Sequence, residues 1–193
     1  MDLADFENQL FIEARTHRAF SDQKIDDATL RHVYELAKLA PTANNYCPMR
    51  LSFVKSKEAK SKLMEVAAEG NRPKISSSPV TVIVAYDVSF FKHIPVLAPH
   101  IDVSKVEAQS KEDRDKVARE LSWLQAGYVI MAARTVGLDC GPINGFNNLL
   151  ADDAFYKNTD WRSIMLLNLG YGQHDQLRPR AKRLDFTDAC EVI

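Results

Sequence analysis

The chain has 193 residues, 46% of them hydrophobic and 26% charged, with a formal net charge of −1, which fits one globular domain spanning residues 1–193. That charge supplies no bulk attraction for DNA or RNA, and no apolar run approaches the ~20 residues of a membrane helix, so neither nucleic acid nor membrane is an expected partner. Three well-separated cysteines, Cys47, Cys140 and Cys190, form no Cys-x-x-Cys pair and no disulfide framework; with an acidic N-terminus unlike a targeting peptide, they predict a reducing cytoplasm.

Taken in chain order, Leu3, Phe6 and Leu10 mark the inner face of a first helix that ends near Arg15. Residues 14–20 then place a threonine hydroxyl and a histidine between two arginines. Guanidinium forks and a hydroxyl suit a phosphate monoester; the same residues also read as a solvated helix end with cations on the helix dipole. Asp26 caps a second helix whose stripe is Leu30, Val33, Tyr34 and Ala37, stopped by Pro41. Residues 41–48 form a polar, turn-rich loop, and residues 51–54 a strand. Ser56 caps a third helix running through Val66, with Gly70 as its C-terminal cap. Residues 79–86, β-branched and apolar on both faces, predict a central strand. Residues 88–109 look irregular; His93 and His100 lack a neighbouring carboxylate pattern and read as loop packing rather than a metal site.

Ser110 opens a long helix with a capping-box-like start. Its first third is densely charged, but from Leu121 onward it is apolar almost all round, so it must be covered on every side. The chain's own sheet covers one face, and a second copy in an isologous homodimer is the expected cover for another. Residues 138–146 predict a Gly/Pro/Asn/Gly loop beside that apolar layer, where free backbone N–H groups could face a flat organic cofactor; buried helices also end in such turns for purely structural reasons. A helical segment follows at 147–157, a strand at 161–169, a turn at 170–172 and a second cationic cluster at 178–183. Alternating strands and helices with segregated long helices give an α/β or α+β class with a central sheet.

No Gly-x-Gly-x-x-Gly follows a strand, and P-loop, His-Glu-x-x-His and Gly-x-Ser-x-Gly motifs are missing. What remains is two cationic clusters at opposite ends of the chain, Asn-containing loops, the Gly-Pro-x-Asn-Gly turn, and Lys74 beside Asn71. Brought together, the clusters would hold a phosphate and the middle segments a ring system, the outline of an FMN site.

Several stretches carry a more specific likeness: Ala-Arg-Thr-His at 14–17, Pro-Thr-x-x-Asn at 41–45, Gly-Asn-x-x-Lys at 70–74, Gly-Leu-Asp-x-Gly-Pro-x-x-Gly-Phe at 137–146, Asp-Asp-Ala-Phe at 152–155, Leu-Asn-x-Gly-Tyr-Gly at 167–172 and Arg-Leu-x-Phe-x-x-Ala-Cys at 183–190. In this order and spacing the chain resembles the FMN-dependent nitroreductase family over essentially its whole length, and within it the malonic semialdehyde reductase (3-hydroxypropionate dehydrogenase) subgroup. The resemblance implies an α+β, three-layer fold, its central, mainly antiparallel sheet flanked by helices, and an intertwined homodimer with FMN bound by both subunits. Arg15 and Thr16, with Arg18 near them, match the N-terminal FMN-binding motif; Arg180 and Arg183 match the phosphate side, with Lys182 competing for the role of Arg180. Pro41, Thr42 and Asn45 match the loop that reaches the flavin, Asn71 and Lys74 the pyrimidine end of the ring, and Pro142, Asn144 and Gly145 the wall against it, where a backbone N–H at 144 or 145 would donate to N5. Ala14 stands where the family commonly has arginine, and Cys47 and Met49 lie near the places of glutamine and tryptophan, which weakens one phosphate contact and alters the substrate wall.

The implied activity is ping-pong hydride transfer from NADH or NADPH through flavin N5 to a small molecule, with no catalytic side chain needed and no metal. The subgroup points to malonic semialdehyde, its carboxylate held by Arg18, His17 or Arg50. A broad nitro-, quinone- or enone-reductase is the alternative, and a non-catalytic flavin-binding protein the second.

Overall fold

A computed structural model describes residues 2–193. Strands β1 (Met49–Val54), β2 (Val80–Asp87), β3 (Asp139–Ile143) and β4 (Trp161–Gly170) form one sheet in the order β1-β2-β4-β3, every neighbouring pair antiparallel. As the apolar run at 79–86 requires, β2 is central and buried along its whole length. Its side chains alternate with the period of a strand. Val80, Val82 and Val84 face one core, shared with Leu30, Val33 and Ala37 of α2 (Asp27–Ala37) and Ala126 and Val129 of α7 (Lys111–Thr135). Ile83 and Ala85 face a second core with Leu63 of α3 (Lys57–Val66), Ile75 of α4 (Arg72–Ser77) and Tyr156 of α8 (Asn148–Tyr156). Two cores on opposite faces make the α+β, three-layer arrangement expected from the sequence.

The helix starts follow their caps. Asp26 accepts from the Thr29 amide, Ser56 from Ala59 and Ser110 from Asp113, each satisfying one of the amides left free in a first turn. Four local expectations change. Tyr34, assigned to the buried stripe of α2, is 44% exposed. α3 ends at Val66 and is capped by Ala67 in extended conformation, while Gly70 lies in a following 3₁₀ turn (Glu69–Asn71); the chain leaves that helix because Ala67 bridges to Phe146, not through a left-handed glycine. Residues 88–109 are not irregular throughout, since they include α5 (Ile94–Leu97) and α6 (Val103–Glu107). And residues 139–143, expected as loop, are β3: their backbone pairs with β4 from Asp139↔Gly170 to Ile143↔Leu166, so only residues 144–147 turn before α8.

The N-terminal helix α1 (Leu3–Glu7), continued by a π turn (Asn8–Ile12), buries none of its residues. The face marked by Leu3 and Phe6, with Phe11 and Ile12, is exposed. On α7, Ser122, Gln125, Ala126 and Val129 are buried against the sheet while Trp123, Leu124 and Tyr128 are exposed. The chain covers one side of its long helix and leaves these large apolar side chains on the other exposed. Among the described residues no helix is long and apolar enough to cross a membrane.

Candidate cofactor site

The N-terminal and C-terminal segments meet. The segment after the π turn runs beside β3, with Thr16 bridged in parallel to Cys140 and the His17 amide donating to the Cys140 carbonyl at 2.9 Å. The C-terminal segment crosses it: Arg15 Nη2 donates to the Arg178 carbonyl at 2.5 Å, and Arg180 Nη2 donates to the carbonyls of Ile12 and, at 3.1 Å, Ala14. Arg134, in the last turn of α7, donates to the Leu10 carbonyl at 2.7 Å. The arginines of each segment thus fix the backbone of the other.

Between these segments and the edge of the sheet lies a cleft of about 670 Å³. Arg15 and Arg18 reach it from the N-terminal side, Lys74 from α4, Arg134 from α7, and Arg178, Arg180 and Arg183 from the C-terminal side; among the described residues no carboxylate lines it. Its dry wall is Gly141, Pro142 and Ile143 of β3 with Phe11 and Leu177. Seven cations around an apolar wall suit a ligand with an anionic end and a flat body.

Lys74 is held by its backbone as well as its ammonium. Its carbonyl accepts from Asn168 Nδ2 at 3.0 Å, and Asn168, fully buried in β4, also accepts a hydrogen bond from the Thr81 hydroxyl through Oδ1 at 2.6 Å. The Lys74 ammonium donates to Asn71 Oδ1 at 2.7 Å, and Asn71 Nδ2 donates to the Gly145 carbonyl at 2.9 Å. A relay therefore joins the centre of the sheet, α4 and the turn after β3. The Ala68 amide donates to the same Gly145 carbonyl at 2.9 Å, so two donors hold that carbonyl. Burial first, then Arg18 and Arg178, lower the Lys74 pKa below the usual lysine value. An anion bound there opposes those two cations and raises it again. Binding of FMN is therefore expected to take up protons at alkaline pH, its affinity falling as pH rises through the lowered Lys74 pKa. Calorimetry in two buffers of different ionisation enthalpy measures the uptake; heats identical in both buffers across that range would contradict it.

A model of the Nitroreductase family matches residues 12–171. The chain belongs to the nitroreductase family. It is similar to a protein of Leptothrix cholodnii provisionally named NADH dehydrogenase/NAD(P)H nitroreductase, 45% identical over 187 residues that cover 96% of this chain and 95% of that protein. Two solved structures share the fold. A provisionally named nitroreductase of Bacillus subtilis has TM-score 0.88 and 20% identity with full coverage of both chains, and one of Exiguobacterium sibiricum, solved in complex with FMN, has TM-score 0.83 and 20% identity over 100% of this chain and 98% of that one.

Of the nitroreductase positions expected from the sequence, Arg15, Thr16, Arg18, Lys74, Pro142, Arg180 and Arg183 line the one cleft. Asn71 and Gly145 join it through the relay, and Asn144 sits in the same turn. Arg183 spends one Nη on the carbonyls of Ala181 and Lys182, at 3.1 and 3.2 Å. Arg180 lines the cleft and Lys182 does not. Pro41, Thr42 and Asn45 are not brought to this cleft within one chain. Asn45 lines a different one of about 810 Å³ with Cys47 and Arg50, and its Nδ2 donates to the Leu97 carbonyl at 2.8 Å. The 41–47 loop is held tightly, with Asn44, Asn45 and Cys47 all at positive φ and the Cys47 amide on the Thr42 hydroxyl at 3.2 Å. Of the three groups offered for a substrate carboxylate, one is spent and one is buried. Arg50 pairs with Asp87 at 2.8 Å and donates to the carbonyls of Cys47 and Met49, and His17 is 2% exposed with its ring packed over Gly172. Arg18 remains. Asn168 was not singled out as a site residue; its only signal is its place in the Leu-Asn-x-Gly-Tyr-Gly stretch. Cys140 is buried behind β3, its thiol pushed up to about 12 by burial, and is inert at neutral pH.

Proposed function

We propose that this chain is an FMN-dependent NAD(P)H oxidoreductase that works as a homodimer in the cytoplasm, one FMN-binding domain per chain, and reduces a small aldehyde acid such as malonic semialdehyde to the hydroxy acid. The observation that carries the reading is the single cleft in which seven cations from four segments surround an apolar strand edge with no carboxylate among them. Its size and polarity fit a phosphorylated isoalloxazine: the arginines for the phosphate, Pro142 and Ile143 for a ring face, Lys74 and Asn71 for the pyrimidine edge. The Exiguobacterium sibiricum nitroreductase of the same fold was solved with FMN, and the name of the Leptothrix relative specifies NAD(P)H, which supports FMN and a nicotinamide reductant here.

Bound in the cleft, FMN supplies the two-electron carrier between nicotinamide and substrate. The protein's part is to hold and polarise. Arg15, Arg180 and Arg183 offer donors to the phosphate, Lys74 sets positive charge beside the pyrimidine edge, and the open side of residues 144–145 offers a backbone amide to the ring. The bare faces of α1 and α7 support the dimer. In it the Pro41, Thr42 and Asn45 loop of one protomer faces the cleft of the other, which accounts for these positions lying apart within one chain. Arg18, whose guanidinium is free of carboxylate partners among the described residues, is the group for a substrate carboxylate.

The test is direct. Protein reconstituted with FMN is expected to be yellow, to bleach when mixed anaerobically with NADPH or NADH, and to turn over malonic semialdehyde with a higher kcat/KM than a nitroaromatic. Faster turnover of the nitroaromatic overturns the aldehyde substrate and favours a broad nitro- or quinone-reductase. Binding without bleaching overturns the catalytic reading, and colourless protein that takes up no FMN overturns the site.

A further inference from the structure

Beside the cleft, which His17 also lines, lies a group of side chains that the flavin reading does not use. His17 from the N-terminal segment, Asp139 from the first position of β3 and His174 from the 3₁₀ turn after β4 (His174–Gln176) each offer a ligand atom within 4.8 Å of the other two. Three segments far apart in sequence therefore converge on one point. His17 is buried, and neither of its ring nitrogens has a hydrogen-bond partner among the described residues. Nε2 is 3.3 Å from Asp139 Oδ1, close enough for attraction but misaligned for a hydrogen bond. A buried ring with two unmet nitrogens costs free energy and calls for a partner.

We propose that His17, Asp139 and His174 bind a divalent cation of the borderline first-row class, with zinc the best-matched ion. Two imidazoles and one carboxylate are the donors such ions select over magnesium or calcium, which take oxygen ligands. For three atoms no more than 4.8 Å apart there is always a point within about 2.8 Å of all of them, against the roughly 2.0–2.2 Å that zinc needs. The gap closes by movement of one side chain, and the exposed His174 on its short turn is free to make it. Its ring already stands edge-on to His17, with centroids 5.1 Å apart.

The surroundings prepare the other two ligands. The second oxygen of Asp139 accepts from the Gly172 amide at 2.8 Å, which orients the carboxylate as outer-shell partners of metal ligands do. The His17 ring is fixed by lack of space: a Cβ on Gly172 would lie 1.9 Å from Nδ1. Burial is the main force holding that imidazole neutral, and neutral imidazole is the metal-binding form. Arg15 is the cation that opposes an ion here, and its guanidinium is drawn off to the Arg178 carbonyl. The bound ion would clip the N-terminal segment to β3 and to the turn after β4, fixing the backbone from which Arg15, Thr16 and Arg18 enter the cleft.

Full-length protein prepared without a histidine tag, carrying whatever cofactor it retains and stripped by a chelator, provides the test. Titration with Co²⁺ is expected to produce visible d–d bands that saturate at one ion per chain, to be displaced by Zn²⁺, and to raise the melting temperature. His174→Ala and Asp139→Asn, the first at an exposed position that leaves the core intact, are each expected to weaken Co²⁺ binding at least about 10-fold. No saturable Co²⁺ or Zn²⁺ binding by the parent chain overturns the proposal. So does binding that both variants retain unchanged, which would locate the ion elsewhere. FMN affinity is measured separately on the same samples, so loss of the flavin reading leaves the metal result standing.

Discussion

Replacing Lys74 by alanine is expected to weaken FMN binding about 10- to 100-fold while leaving the stability of the cofactor-free protein nearly unchanged. The asymmetry follows from what the ammonium does in each state. Without ligand it is partly desolvated and lies among cations, its pKa lowered chiefly by burial and further by Arg18 and Arg178, so its loss relieves a cost as well as removing the 2.7 Å bond to Asn71. With ligand it becomes a charged donor at the pyrimidine edge, and hydrogen bonds to charged groups contribute about 1.5–3 kcal/mol, which sets the fold-change. Part of the loss is indirect, because Asn71 is the side chain that holds the Gly145 carbonyl. Lys74→Met isolates the ammonium from the rest of the side chain: it keeps the apolar stem and removes the charge with its bond to Asn71, and is expected to lose nearly as much affinity as alanine. Quenching of FMN fluorescence on titration measures all three proteins. Equal affinities would remove Lys74 from the site.

The sequence carried the parts of this molecule that local chemistry dictates. Asp26, Ser56 and Ser110 cap helices because a carboxylate or hydroxyl at that position satisfies a free amide whatever the rest of the chain does. The run at 79–86 is central because an all-apolar strand is stable only with both faces covered. The parts decided by distant segments were harder to read. Residues 139–143 have the composition of a turn, yet β4 offers them a ladder, and ladder hydrogen bonds outweigh the weak propensities of Gly141 and Pro142. Pro142 is tolerated because β3 is an edge strand. Gly70 looked like a helix cap, but the pairing of Ala67 with Phe146 ends the helix sooner. The face of Leu3 and Phe6 was legible as apolar and not as uncovered, since amphipathicity states that a face needs a partner and not which molecule supplies it. The same gap separates Asn45 from the cleft. Residue types could not reveal the meeting of His17, Asp139 and His174 either, because three residues spread over 158 positions have no spacing that marks a site; only the bridge of Thr16 to Cys140 and the turn after β4 bring them together.

That bridge also predicts a substitution with a large effect on both fold and site. Gly141→Ala is expected to destabilise the protein by about 3 kcal/mol, the upper end of what overpacking a filled site costs, and to weaken FMN binding at least about 10-fold. A Cβ at residue 141 would sit 2.5 Å from the His17 carbonyl oxygen, with Asn168 Cβ and Phe20 Cζ both at 3.4 Å. The first neighbour is backbone and cannot rotate away. It belongs to the residue whose amide donates to the Cys140 carbonyl at 2.9 Å, so the clash is relieved only by moving the N-terminal segment off the edge of β3. Arg15, Thr16 and Arg18 move with it, and the cationic side of the cleft opens. On the other side Asn168 is pinned between Thr81 and the Lys74 carbonyl, so relaxation in that direction pulls α4 and Lys74 out of register. Gly70→Ala, whose added methyl meets nothing within 4 Å, is the matched control. Urea unfolding of the cofactor-free proteins gives the stability change and FMN titration the affinity. A Gly141→Ala protein that loses stability but binds FMN as the parent does would mean that the docked N-terminal segment supports the fold without forming the site. If both fall together, edge docking of that segment onto β3 is what builds the cofactor cleft.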